Sequence, residues 1–376
     1  MKVSCLQENL ARGLSVVARA VAPRSTLPVL GNILLATDSG RLRLSATNLE
    51  MGITFWIGAK VEEEGSTTVP ARTFVDLVNT LPNDKVDMEL TVRTQTLNVR
   101  CGAFNNDLKC IDAQEFPPLP PASLEGDLVL DASDLRDMIA QVAFAASSDD
   151  ARPVLTGVLL EINDGQLSMA AADGFRLSLR SSRLPSPGLG PMKAIIPGRA
   201  LSELARIMGD DETVAMSLPP NRGQVIFRTN NAELVSQLIE GTYPDVKGII
   251  PNGFKTRAVL PTSSFLKACK AADIFAREAA HSARLVITPG GELQPGTMEI
   301  SATAAETGSN ETVVDATIEG DPLEIAFNVR FLIDVLGVID TPNVALETST
   351  ATSPGVLRCV GRDDFLHVIM PMHLGR

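Results

Sequence analysis

The chain carries one pattern three times, and this limits its folds more than any other feature. Leu27-Pro28-Val29-Leu30-Gly31-Asn32-Ile33-Leu34-Leu35 returns as Arg152-Pro153-Val154-Leu155-Thr156-Gly157-Val158-Leu159-Leu160. Val69-Pro70-Ala71-Arg72 returns as Ile196-Pro197-Gly198-Arg199 and again as Phe327-Asn328-Val329-Arg330. Each copy closes on a bulky residue and a proline: Phe116-Pro117, Tyr243-Pro244 and Met370-Pro371. The spacing is about 125 to 131 residues, so three units consume all 376. A fold built this way repeats one supersecondary unit rather than growing a single core. The expected units are 1–121, 122–248 and 249–376. Pro117-Pro118-Leu119-Pro120-Pro121 makes a stiff extended linker. The second junction, Gly248 to Thr256, carries Pro251 and Gly253. The third copy is the most diverged, since Ala283-Arg284-Leu285-Val286-Ile287 only loosely echoes the other two.

Within a unit the order is helix, strands, helix, strands. Leu6, Leu10, Leu14, Val17 and Val21 recur at helical spacing, which predicts a helix from about Gln7 to Val21 with Arg12 and Arg19 on the opposite face. Leu42 and Leu44 alternate with Arg41 and Arg43, and Leu97, Val99 and Cys101 with Asn98 and Arg100, as half-buried strands do. A second helix opens after Arg72, Arg199 and Arg330. In the middle unit Leu201, Leu204 and Met208 form one face, with Arg199 and Arg206 opposite. The fold class is α+β: three tandem copies, each of two amphipathic helices on a β-sheet.

Charge is segregated. The net charge is −12, which repels nucleic acid unless positive charge is concentrated somewhere. The helix segments 7–24, 71–80, 132–146, 198–208, 263–277 and 328–338 hold 11 Lys and Arg against 7 Asp and Glu. The helices are therefore mildly basic inside an acidic protein. If they faced one cavity, an anionic polymer would be drawn there with few, loose, sequence-independent contacts. The plainer reading is a set of solvated helix faces. Aromatic residues are 4% of the chain, too few to provide the stacking platforms of a single-strand binder.

Chemistry is absent from the motifs. Cys5, Cys101, Cys110, Cys269 and Cys359 form no CxxC pair and are odd in number, which reads as free thiols in a reducing compartment. His281, His367 and His373 lack partners at metal-ligand spacing. There is no phosphate loop, dinucleotide fingerprint or nucleophile elbow, and Gly188-Leu189-Gly190-Pro191 reads as a turn. Glu62-Glu63-Glu64, Asp149-Asp150, Asp210-Asp211-Glu212 and Asp363-Asp364 read as acidic residues solvating turns. No cofactor or metal is expected. The first eight residues lack the apolar core of a signal peptide, and no uncharged apolar run reaches a membrane span of ~18 residues, so the expected location is cytoplasmic.

Six motifs in order resemble the bacterial beta sliding clamps, the processivity subunits of DNA polymerase III. They are the segments 27–35, 69–72 and 152–159, Thr47-Asn48-Leu49-Glu50-Met51, Asp173-Gly174-Phe175-Arg176-Leu177 and Met370-Pro371-Met372-His373-Leu374, and they cover essentially the full length. The resemblance implies a head-to-tail homodimer, a six-domain ring with helices lining the hole, double-stranded DNA held through it without sequence preference, and a separate ATP-driven clamp loader. It implies tethering of the polymerase III catalytic subunit and of other clamp-motif proteins of replication and repair, with no catalysis of its own.

It also implies a cleft between the second and third domains that takes short partner tails. Its wall would be Leu155, Ala172, Gly174, Phe175, Arg176, Leu177, Pro244, Ile249, Val368, Met370, Pro371 and Met372. Methionine-rich surfaces accept varied partners, which fits this role. Read from the residues alone, Met370-Pro371-Met372 is equally a core strand end, and Asp173-Gly174 a plain hairpin turn. DNA contacts would fall on Arg24, Arg72 and Arg199, and an apolar dimer contact on Leu108. The chain departs from the family in two places. Asp149 and Asp150 stand in the loop Ser148 to Val154, so no DNA contact is assigned there, and His373 stands where the family often has arginine. Two other readings stay open: a repeat-built interaction scaffold without DNA, and a hydrolase using the acidic clusters.

Overall fold

The structure is a computed structural model describing residues 1–22, 24–119, 128–184, 190–219, 223–292 and 294–373. The expected first boundary at 121/122, the end of the proline linker, Gly188 and Leu189 of the Pro/Gly turn, and Leu374 lie outside the described residues. Six α-helices are described, close to the expected segments: α1 (Gln7–Val17), α2 (Ala71–Thr80), α3 (Ala132–Val142), α4 (Gly198–Ile207), α5 (Thr262–Ala276) and α6 (Val329–Leu336).

The first helix is shorter than its periodicity predicts. It ends at Val17, a 3-10 turn covers Ala18–Ala20, and Val21 is extended, with φ −68° and ψ 137°. Ala22 precedes a proline, whose ring disfavours helical backbone at the residue before it. Arg24 therefore stands in a bend after the helix rather than on it. Leu10, Leu14 and Val17 are fully buried as expected, whereas Leu6 is exposed. Helix α1 lies so close to the sheet that a Cβ added at Gly13 would stand 2.5 Å from Leu44 Cδ1.

Compactness divides the chain into two units, Met1–Ser133 with Arg199–Leu238 and Asp134–Gly198 with Ile239–Arg376. The division cuts through the central repeat because hydrogen-bonded ladders cross the repeat junctions. In the first unit Met51–Gly58 pairs antiparallel with Ala232–Gln237. In the second, Arg176–Arg183 pairs antiparallel with Phe365–Ile369.

The first unit holds two antiparallel sheets among the described residues. The larger runs in space through Leu128–Asp131, Thr213–Ser217, Gln224–Arg228, Ala232–Gln237, Met51–Gly58, Arg41–Thr47, Asn32–Asp38 and Ser66–Pro70. The smaller has five strands and ends on Phe104–Lys109. The second unit is built on one antiparallel sheet, from Met192–Pro197 through Gly157–Asn163, Gln166–Ala172, Arg176–Arg183 and Phe365–Ile369 to an edge at Leu323–Asn328. Helices α5 and α6 bury Phe265, Leu332 and Val335 against Phe327, Phe365 and the strands around them. Aliphatic side chains dominate these cores, as the low aromatic content requires. All five cysteines are free and four are buried. Burial pushes the Cys5 thiol up to about 12, so it stays protonated and inert.

Candidate functional site

The apolar surface predicted for partner tails lies within the second unit, and a hairpin turn organises it. The Asp173 carboxylate accepts the backbone N–H groups of Phe175 (2.8 Å) and Arg176 (3.0 Å). Gly174 sits at φ +96°, where a side chain is strained. The turn thus pushes Phe175 outward, 61% exposed. Its carbonyl accepts the Met370 N–H at 2.8 Å, and Met370 is itself 41% exposed. Beneath them Ala172, Leu177 and Val368 are buried in one cluster with Tyr243, Val246 and Leu366, and Leu155 packs against it half-buried. Asp173-Gly174 is the hairpin turn that the residues alone allowed, whereas Met370-Pro371-Met372 follows the last strand and is not a core strand end.

Other predicted members stand differently. Pro244 and Ile249 are exposed on the segment that carries buried Tyr243 and Val246. Pro371 and Met372 are half-buried, and the Met372 N–H donates to Ala326 O at 2.8 Å. Arg176 does not present its guanidinium to solvent. It pairs with Asp173 at 3.0 Å and Asp334 at 2.6 Å, and its side chain is 11% exposed. It also donates to Phe144 O at 2.9 Å and lies over the Phe331 ring at 4.4 Å. The residue acts as a pin between the turn and α6.

Tyr243 was not among the predicted wall residues. Its hydroxyl accepts the Ala172 N–H at 3.0 Å and donates to Gly157 O at 3.4 Å. Burial pushes this phenol up to about 12, so it remains a neutral donor. Its signal was available: it is the chain's one tyrosine and closes the second repeat copy.

His367 lies in the same strand as Val368 but serves the core. It is fully buried, its Nδ1 meets Ser178 Oγ at 2.5 Å, and its ring stacks on Phe144 at 5.4 Å. Burial, and to a lesser degree the Arg176 charge, lowers its pKa to about 3. His281 bonds Asp273 at 2.9 Å, and His373 is exposed. No group of three or more His, Cys, Asp or Glu among the described residues is placed to hold a metal. The acidic clusters are not all solvating: Asp364 pairs with Arg180 and Arg362, and Asp149 with Arg152 at 3.2 Å.

The basic candidates belong to the first unit. Arg24, Arg72 and Arg199 are all exposed, at the bend after α1 and as the second residues of α2 and α4. None has an ion-pair partner among the described residues. Several other helix arginines are already partnered. Glu203 meets Arg19 at 3.3 Å and Arg206 at 2.9 Å, and Asp273 lies 3.5 Å from Arg277 and 3.6 Å from Arg330. Counting charges by helix overstated what is free for an anion. Leu108 is buried, on the Phe104–Lys109 strand at one edge of the five-stranded sheet, where Phe104 is 47% exposed.

Comparison with known proteins covers the whole length. Residues 1–120, 129–245 and 247–373 match, in that order, the family models of the N-terminal, central and C-terminal domains of the DNA polymerase III beta subunit. A beta sliding clamp of Synechococcus elongatus is 35% identical over 381 residues, covering 100% of both chains. One of Staphylococcus epidermidis is 32% identical over 382 residues, covering 99% of both. Among solved structures, the DNA polymerase sliding clamp of Bacillus subtilis superposes with a TM-score of 0.93 at 28% identity, and the DNA polymerase III subunit beta of Pseudomonas aeruginosa with 0.88 at 31%, each over 100% of both chains.

Proposed function

We infer the function from one premise: the chain belongs to the DNA polymerase III beta subunit family, the beta sliding clamps. It is a sliding clamp of three tandem clamp domains, a processivity subunit rather than an enzyme. The observation that carries this is the ordered match of all three domain models over nearly the whole chain.

Two copies close head to tail into a ring around double-stranded DNA, with domains bounded near 121 and 248. Arg24, Arg72 and Arg199 face the phosphates, and their exposure without ion-pair partners among the described residues supports this. The open edge at Phe104–Lys109, with Leu108 in it, suits pairing with a second copy, since an unpaired strand edge is a template for another strand. Partner tails, those of the polymerase catalytic subunit and the clamp loader among them, seat apolar side chains beside Phe175 and Met370 over the buried Leu177–Val368 floor. This surface supports tail binding because large side chains stand exposed on a hydrogen-bonded, preorganised turn. Work on DNA places the protein inside the cell, and we assign it to the cytoplasm. No helix among the described residues is long and apolar enough to cross a membrane.

The test is retention. The protein is loaded by its cognate loader onto a nicked circular plasmid, isolated, and the plasmid is linearised. Retention on the circle and loss from free ends is expected. Equal retention on both forms means ordinary charge-driven binding and overturns the ring.

A further inference from the structure

Two strand ladders join successive repeats, and their faces carry opposite chemistry. In the second unit Leu177 pairs with Val368, Ser178 with His367, Leu179 with Leu366 and Arg180 with Phe365. In the first unit Gly52 pairs with Val235, Ile53 with Leu234, Thr54 with Glu233 and Phe55 with Ala232. The turns that lead into the two ladders correspond. Asn48 Oδ1 accepts the N–H groups of Glu50 (3.1 Å) and Met51 (2.8 Å), as Asp173 does for Phe175 and Arg176. All four strands are paired on both sides, so the ladders stand in like settings. Side chains alternate between the faces of a strand. On one face, Leu177, Leu179 and Leu366 of the second ladder give way to Gly52, Thr54 and Glu233 in the first. On the other face, Ser178, Arg180 and His367 give way to Ile53, Phe55 and Leu234, and all six are buried.

The polar face of the second ladder is cross-braced. Arg180 pairs with Asp134 on α3 at 3.3 Å and with Asp364 beside the partner strand. Arg176 reaches Asp334 on α6 at 2.6 Å, and Ser178 meets His367 across the ladder. Gln141 Nε2 on α3 donates to Val338 O, just after α6, at 3.2 Å. Such bonds are short and directional, so tilting one repeat against the next breaks them. In the first ladder Met51, Ile53 and Phe55 hold the places of Arg176, Ser178 and Arg180. Their apolar contact has no preferred direction and survives small slides.

The opposite faces differ in room. Leu177, Leu179, Leu366 and Val368 lie in one cluster with Tyr243 and Val246, and the hollow beside Leu179 holds about 170 Å³. At the first ladder a cavity of about 660 Å³ lies over Ser45, Thr54 and Glu233. Ser45 and Thr54 bond each other at 3.0 Å, which ties two strands of the first repeat together and not the first repeat to the second. Gly52 lacks the side chain that Leu177 supplies. Close packing transmits strain, whereas a void lets the groups beside it shift.

We infer that the junction of the first two repeats is the compliant hinge of this protein and the junction of the last two is its rigid brace, so that opening of the clamp is taken up at the Met51–Gly58 and Ala232–Gln237 ladder. The use in opening rests on the ring reading. The asymmetry stands on the two ladders alone.

Hydrogen–deuterium exchange of the full-length protein, without DNA and read by mass spectrometry, compares them. Amides of Met51–Gly58 and Ala232–Gln237 are expected to exchange at least about tenfold faster than those of Arg176–Arg183 and Phe365–Ile369, after correction for intrinsic rates. Equal protection, or faster exchange at the second ladder, overturns the asymmetry. Ser45→Ala, Thr54→Leu and Glu233→Leu together copy the row Ala170, Leu179 and Leu366 into the cavity, and should slow the first ladder toward the second. Arg176→Met with Arg180→Met removes two braces and should speed exchange of Phe365–Ile369. Unchanged exchange there overturns the brace. Circular dichroism melting of each variant verifies folding. On nicked circular plasmid the triple variant should load several-fold more slowly than the parent. Loading at the parent's rate overturns the role in opening. So does a parent never retained on circles, and in that case the exchange comparison, made without DNA, still decides the asymmetry.

Discussion

At the scale of single residues, burial decides more than residue type. Arg176 was expected on a peptide wall, but its guanidinium pairs with two carboxylates, donates to one carbonyl and lies over two aromatic rings. It stiffens the turn that displays Phe175. His367 is equally committed, held neutral in the sheet beside Ser178. Its native pKa lies near 3, against an ordinary value near 6.5 in the unfolded chain. Between these values the unfolded state binds one more proton than the native state. Stability should therefore fall as pH drops from 6.5 toward 3, by up to ~1.4 kcal/mol per pH unit from this residue. His367→Gln removes that contribution. Urea unfolding of both proteins across the window should give a pH slope shallower in the variant by about that amount, and identical slopes would count against a neutral buried imidazole.

At the scale of elements, the informative segments are those where chain ends meet turns. The last described segment is tied at two points, Met370 N–H to Phe175 O and Met372 N–H to Ala326 O. The strand before it, Phe365–Ile369, is fully buried and paired on both sides. Removing residues from Met370 onward should abolish binding of partner tails. It should leave the melting temperature within a few degrees, because among the described residues the cut takes two hydrogen bonds and no core side chain. Fluorescence anisotropy of a labelled partner tail measures the first effect. Unchanged affinity after truncation would remove Met370, Pro371 and Met372 from the proposed wall. The helices teach a related lesson. Their periodicity was legible, and α2 and α5 fall within a residue of expectation. The end of α1 was less so, since apolar spacing continues through Val21 while the following proline ends the helix.

At the scale of the molecule, charge is the question. An acidic protein works on DNA only if its positive groups are concentrated where DNA passes. Arg24, Arg72 and Arg199 remain exposed and have no ion-pair partner among the described residues, while Glu203 and Asp273 each hold two arginines. Arg24→Glu with Arg72→Glu should therefore slow loading and weaken DNA retention, most at low salt, where charges a Debye length apart are least screened. Retention measured on circular plasmid across a salt series tests this. An identical response to salt in the variant and the parent would make these arginines merely solvated.

Composition, repeat and motif order were enough to establish three tandem copies, the α+β class and the family. These properties are local or periodic, so they are written along the chain. Sequence alone did not reveal that strand ladders cross the repeat junctions and divide the central copy between two compact units. Nor did it reveal that Arg176 is a pin or that the Tyr243 hydroxyl ties Ala172 to Gly157. Each depends on partners from roughly 70 to more than 190 residues away. Such contacts exist only after the sheets have closed, because a hydrogen bond or a buried charge is set by what faces it in space.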